Sequence, residues 1–240
     1  MLLALCAAAC QAERSEAPGV AEQRPALGLM TSLPIYWGEP AQMTDLLNGS
    51  TEPHRVRKLL EDDYTLLPLD ALGTADGRPV DELARLDRLL LAQPRALTPA
   101  DNVALDRWVR SGGHLLLVLD PMMTDHSAYP IGDKRRFNDV ALIPPVLEQW
   151  GLRLAYQAGA GPRLVTVAGT QLPIDEYGTL SLATGSAGEV QCSIESNGVM
   201  ARCRIGNGVV LVVADAAFLN HEADEVADHA VDAVLASAFG

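Results

Sequence analysis

The chain has 240 residues, with Lys+Arg 18 against Asp+Glu 31 and a formal net charge of −13. Hydrophobic residues make up 48% of it, enough for a sizeable core in one domain or two small ones, and too many for a disordered or collagen-like chain. The longest basic clusters are Arg55–Arg57–Lys58 and Lys134–Arg135–Arg136, and no Lys or Arg follows Arg204. Without a basic stripe, nucleic acid is not an expected partner.

The first ten residues, MLLALCAAAC, are apolar and small, and residues 11–25 are polar and unpatterned. A bilayer-spanning helix needs about 20 apolar residues, so this run reads instead as the end of a secretory apolar region with small residues before a cleavage point. Ala7-Ala8-Ala9-Cys10 resembles the lipobox of bacterial lipoproteins, although Ala7 stands where that pattern has Leu and no basic residue precedes the run. Cys10 is then the expected lipidation site. Residues 1–25 form a signal-like segment and linker, and the expected location is the periplasmic face of the cell envelope.

Residues 26–35 (ALGLMTSLPI) form the first predicted strand, closed by Pro34 and the loop Tyr36-Trp37-Gly38-Glu39-Pro40. Residues 53–61 predict a helix with Val56, Leu59 and Leu60 on one face, and residues 64–69 a strand ending at Asp70. Residues 86–92 finish in the apolar run Leu89-Leu90-Leu91-Ala92. The next helix has both boundary signals: Thr98 to cap it, Pro99 at its first position, Asp101 in the first turn, and Gly112-Gly113 to end it. Its apolar face is Ala104, Leu105, Trp108 and Val109. Residues 114–119 (HLLLVL) are a second apolar strand, stopped by Asp120-Pro121. Such runs on either side of a helix fit a parallel sheet covered on both faces, hence an α/β fold.

The second half opens with a predicted helix over residues 140–150 and turns β-rich, with strands at 152–156, 163–168, 190–196, 199–205 and 209–214. A final helix covers about residues 222–238, with Val226, Ala230, Val231 and Val234 inward. The reading is one α/β domain over residues 26–240 with an antiparallel addition in its second half. Asn197-Gly198 is a strong two-residue hairpin signal. It pairs Glu195 with Met200, Ile194 with Ala201, and Cys192 with Cys203. The two cysteines then fall on a hydrogen-bonded pair, with Cα atoms about 5.5 Å apart. In an oxidising compartment they are a candidate disulfide.

The stretch LLLAQPRALTPADNVALDRWVRSGGHLLLVLDP, Leu89 to Pro121, resembles a segment of the GldG-like family of ABC-transporter auxiliary components. Residues 31–39 (TSLPIYWGE) are similar to that family's first strand and loop, and residues 206–220 (GNGVVLVVADAAFLN) to its late strand. The resemblance implies a flavodoxin-like, class I glutamine amidotransferase-like three-layer sandwich without the catalytic cysteine, and a permease/ATPase assembly as partner. Family members commonly carry a C-terminal membrane helix, which these residues do not show. Independently of the resemblance, thiol chemistry needs a Cys on a sharp strand-to-helix turn. Here the corresponding strand ends Val118-Leu119-Asp120-Pro121, and no Cys lies between Cys10 and Cys192.

Ligands of open α/β sheets sit outside the carboxyl ends of the strands. The residues predicted there are Tyr36, Trp37, Glu39, Asp70, Gln93, Arg95, Asp120 and Asp215. Tyr36 and Trp37 offer stacking surfaces for a sugar or another flat small molecule, and Glu39 and Asp120 accept hydrogen bonds. The competing reading is that Glu39, Asp120 and Asp215 cap loops and helix N-termini. Asp120, Asp125, His126 and Asp133 supply hard-metal ligand types without EF-hand spacing, so neither a metal nor a cofactor is expected. Two functions stand: a non-catalytic, lipid-anchored binding or interaction component of an ABC-type transport system, or a hydrolase or transferase using carboxylates such as Glu39 and Asp120.

Overall fold

The computed structural model describes residues 24–39, 53–156, 158–183, 189–220 and 224–240; Cys10 and the lipobox-like segment lie outside them. Seven strands form the main sheet in the order β2-β1-β3-β4-β11-β10-β9. β1 (Ala26–Thr31), β2 (Thr65–Pro68), β3 (Arg88–Ala92), β4 (His114–Val118) and β11 (Gly208–Val213) run parallel. β10 (Met200–Ile205) and β9 (Val190–Glu195) add antiparallel at one side. The chain reverses its winding between β1 and β3, which makes the carboxyl end of that pair a topological switch point.

The register explains why these strands read as unbroken apolar runs. Leu29, Leu90, Leu116 and Leu211 are neighbours across four strands and face one layer. Leu89, Leu115 and Val210, one residue earlier in each strand, face the other. The first layer is α1 (Arg55–Asp63) with Val56 and Leu60, and α5 (Glu225–Phe239) with Val231, Val234 and Leu235. The second is α3 (Pro99–Ser111) with Leu105, Trp108 and Val109, and α4 (Pro145–Gln149) with Val146 and Leu147. The short α2 (Asp81–Ala84) buries Leu83 in that same layer. An enclosed cavity of about 10 Å³ lies under α1 and α5, lined by Leu90, Leu116, Phe218 and Val234, and is apolar throughout.

α3 starts where its sequence signals place it. Thr98 and Asp101 form a capping box, and Asp101 Oδ1 also accepts from the backbone N–H of Leu72 and Gly73 at 2.8 and 2.9 Å. Burial pushes the Asp101 carboxyl up, but the hydrogen bonds from Thr98, Leu72 and Gly73 outweigh it and hold the group below its ordinary value. The helix predicted over residues 140–150 shortens to Pro145–Gln149. Pro144 and Pro145 forbid helix before the second proline, which takes the first helical position. The first strand likewise stops at Thr31, whose Oγ1 accepts from the Leu33 N–H and turns the chain.

Between α4 and β9 the chain builds an addition of two small antiparallel sheets. β5 (Leu152–Tyr156) pairs with β8 (Gly178–Leu182), and β6 (Arg163–Val167) with β7 (Thr170–Ile174). β7 and β8 carry no clear strand signal in the sequence. Pro173 interrupts β7, which a two-stranded sheet tolerates because half its backbone groups face outward.

Cys192 and Cys203 face each other in the predicted register and form a disulfide. The turn differs from expectation. Ser196, Asn197 and Gly198 all take positive φ (48°, 56° and 92°), so four residues, 196–199, separate β9 from β10 instead of two. The ladder closes at Glu195 and Met200, one step further out, and the alternation of pair types shifts with it. The cysteines therefore occupy a pair of the closer, non-hydrogen-bonded kind, with Cα atoms 4.1 Å apart.

Candidate functional site

The carboxyl ends of β1, β3, β4 and β11 are closed over by residues 121–144, a long connection without helix or strand. Its order comes from polar side chains at the strand ends, beginning with Gln93. This residue directly follows β3, is fully buried, and has a left-handed φ of 45°. The sequence sets Asp120-Pro121, after β4, against the family's nucleophile turn; the left-handed residue at these strand ends is Gln93, after β3. Both ends of the Gln93 amide bond to the chain itself. Its Oε1 accepts from the Asp120 N–H at 2.9 Å, and its Nε2 donates to the Asp120 and Asn138 carbonyls at 2.9 and 3.0 Å. Its own carbonyl accepts from the Ser32 hydroxyl and N–H. Asn138 in turn donates to the Pro94 carbonyl at 3.0 Å.

Glu39 fastens a second part of the connection. Its two carboxylate oxygens accept from the Ser127 hydroxyl at 2.8 Å and the Ala128 N–H at 2.6 Å. Arg95 is exposed and donates to the Lys134 and Arg136 carbonyls. Tyr36 is half-buried under the Arg57 guanidinium, 4.4 Å from its ring centroid, and meets Trp37 edge-on. Trp37 is 79% exposed. Asp70 is exposed at the end of the edge strand β2.

Asp120 and Asp215 follow the adjacent strands β4 and β11 and are 1% and 0% exposed. Asp120 Oδ1 accepts from the Met122 N–H at 2.8 Å and Oδ2 from the Ala216 N–H at 3.0 Å. Asp215 Oδ1 accepts from the Ala217 N–H at 2.7 Å and Oδ2 from the Asp175 N–H at 2.9 Å. Burial pushes the Asp120 carboxyl up to about 6, with Asp175 adding to the rise. Burial, and then the charge of Asp120, push Asp215 well above the carboxylate range. Two buried like charges on neighbouring strands cannot both ionise freely.

The eight predicted residues therefore divide. Gln93, Asp120 and Asp215 bond to the chain's own backbone, Glu39 to the Ser127 hydroxyl and the Ala128 N–H, and the exposed Arg95 to two loop carbonyls, while Tyr36 packs beneath Arg57, and Trp37 and Asp70 stay open to solvent. Asp125 and Asp133 do not assemble with Asp120. The Arg135 guanidinium pairs with Asp133 and holds its carboxyl down at about 2. Among the described residues, no three His, Cys, Asp or Glu side chains converge as a metal site would need. Ser32, Asn138 and Asp175 are members of this polar network that the sequence reading missed. Each sits in a loop with no local pattern, and only the tertiary fold brings it in.

What these loops present outward is apolar. The Met123 N–H donates to the Asp139 carbonyl and the Ala141 N–H to the Asp120 carbonyl, an antiparallel crossing that buries Met123 and Ala141. It turns Met122, Val140 and Leu142 to solvent, followed by Ile143. Ile131, at the tip of a turn closed by the Asp133 N–H on the Pro130 carbonyl, is 91% exposed.

Residues 24–167 match the family described as an ABC-type uncharacterized transport system. No curated protein matches the chain. Among solved structures it is similar to an exo-β-1,4-mannosidase from Opitutaceae bacterium strain TAV5, with 15% identity and a TM-score of 0.52, over 90% of this chain and 36% of that one. The chain thus spans about a third of the mannosidase, and the likeness concerns the fold alone. A cytoplasmic protein of Salmonella typhimurium LT2 aligns at 12% identity and TM-score 0.49, over 89% and 99% of the two chains. A ThuA-like protein from Bacteroides uniformis aligns at 13% and 0.46, over 92% and 93%.

Proposed function

Since the chain belongs to the family of ABC-type transport system auxiliaries, we propose that it is a non-catalytic interaction component of such a system, held at the periplasmic face of the envelope by a lipid on Cys10. The observation that carries the non-catalytic reading is that Gln93, Asp120 and Asp215 bond to backbone groups of the chain, and Glu39 to the Ser127 hydroxyl and the Ala128 N–H. The parallel strand order β2-β1-β3-β4-β11 supports a flavodoxin-like sheet of the glutamine amidotransferase type. At the end of β3 this sheet carries a buried glutamine with left-handed φ, Gln93. The carboxylate-hydrolase reading would need Glu39 and Asp120 free to meet a substrate, and both are occupied.

The exposed side chains Trp37, Met122, Ile131, Val140, Leu142 and Ile143 support a docking role for these loops. A loop held in place by buried hydrogen bonds while its apolar residues face water fits the pattern of an interaction surface. The permease/ATPase assembly is the proposed partner. The test expresses the chain with its native N-terminus in a bacterial host. Mature protein is expected in the membrane fraction, and Cys10→Ser is expected to release it or block processing. Unprocessed protein beginning at Met1 in the cytoplasm would overturn the anchored, periplasmic reading.

A further inference from the structure

The register that pairs Val118 with Val213 brings Asp120 and Asp215, two residues further along, to the ends of neighbouring parallel strands. Adjacent strands lie about 4.8 Å apart, so the two carboxyls share one buried pocket of backbone. Their four oxygens hold amides from three separate segments. Met122 opens the 121–144 connection, Ala216 and Ala217 form the turn after β11, and Asp175 lies between β7 and β8 in the antiparallel addition. The Met122, Ala216, Ala217 and Asp175 hydrogen bonds to these carboxylates all come from backbone amides. The titratable groups that face the pair are themselves acidic: Asp175, whose charge raises both, and Tyr156, whose hydroxyl donates to Glu176 at 2.5 Å.

Elementary electrostatics then limits the pair. One carboxylate satisfied by two N–H groups is tolerable in such a place, whereas a second uncompensated charge beside it is costly. We propose that Asp120 and Asp215 cannot both stay ionised in this place and act as a pH-operated interlock, fastening the antiparallel addition and the 121–144 connection to the sheet while at least one of them is protonated and loosening both when the second ionises. The linkage has a definite sign. The folded chain keeps protons that the unfolded chain releases near pH 4, so the stability they confer is complete below that pH. It declines as pH rises through about 6 at Asp120, and further as Asp215 ionises.

Amide hydrogen exchange on the whole chain reads this directly. In wild type, protection at Met122, Asp175, Ala216 and Ala217, corrected for intrinsic exchange, is expected to fall at least about tenfold between roughly pH 5.5 and 8.5. In Asp215→Asn the neighbour cannot ionise. The Met122 and Ala216 amides, held by Asp120 alone, are then expected to change less than about threefold over the same range. Equal protection at both pH values in wild type, or the same fall in the variant, would overturn the proposal. Carbon-13 NMR of the wild-type carboxyl groups provides a measurement that needs no variant. Two coupled steps seen at both residues, one well above the carboxylate range, support the interlock. Two independent titrations in the ordinary carboxylate range would overturn it.

Discussion

The parallel strands and the antiparallel addition solve the burial problem in different ways. In β3, β4 and β11 nearly every side chain is buried, because helices cover both faces of the sheet. In β6 and β7 burial alternates: Val165, Val167, Leu172 and Ile174 turn inward while Leu164 and Gln171 face water. The first region derives its stability from packing density. The second depends on a few inward residues and on the fastenings that join it to the sheet.

The sharpest test of that difference is a pair of truncations. Leu117→Ala in β4, at a position with no exposed surface, is expected to cost roughly 2–5 kcal/mol in urea denaturation, from lost burial and the hole left behind. Leu164→Ala in β6, where the side chain is 55% exposed, should change stability by less than about 0.5 kcal/mol. Equal costs would remove the distinction. At the boundary between the regions stands the disulfide of β9 and β10, whose cysteines are 11 residues apart. Reducing it should cost about 3 kcal/mol, mainly by freeing the unfolded chain, and lower the melting temperature accordingly. Mass spectrometry of non-reduced peptides from native protein checks the bond itself, since two free thiols would contradict it. The smallest effect belongs to Trp37. Its ring lies outside the core, so Trp37→Ala should leave stability within about 0.5 kcal/mol while weakening membrane-assembly capture measured by site-specific crosslinking from position 131. A large loss of stability would move Trp37 into the structural category.

The same contrast governs how much was legible from residue order. β3, α3 and β4 are written in apolar runs, a capping box and a Gly-Gly stop, all local signals that the fold has no reason to override. The hairpin register followed from Asn197-Gly198, but the pair type did not, because Ser196 also took a left-handed conformation that only φ values reveal. β7 and β8 were invisible since Pro173 and Gly178 read as breaks, although Gly178 is where a Cβ would meet Leu154, 2.4 Å away, Ala214 and Pro121. At the strand ends the sequence left two roles open for Glu39, Asp120 and Asp215, ligand contacts or caps of loops and helix N-termini. Side-chain chemistry says that Asp120 accepts hydrogen bonds; whether the donor is a ligand or Ala216 depends on contacts across 96 positions of chain.

Gln93 has one more consequence. An amide that meets the N–H and C=O of one residue, as its side chain does with Asp120, presents the same two complementary groups a neighbouring strand would offer. The chain has thus placed a counterfeit strand residue in the crevice where open α/β sheets receive small molecules. The crevice is self-liganded by a group that carries no charge and does not itself titrate. Among the described residues, a visiting molecule meets at Gln93 an amide already bonded to the chain itself, and recognition there falls to the side chains around it.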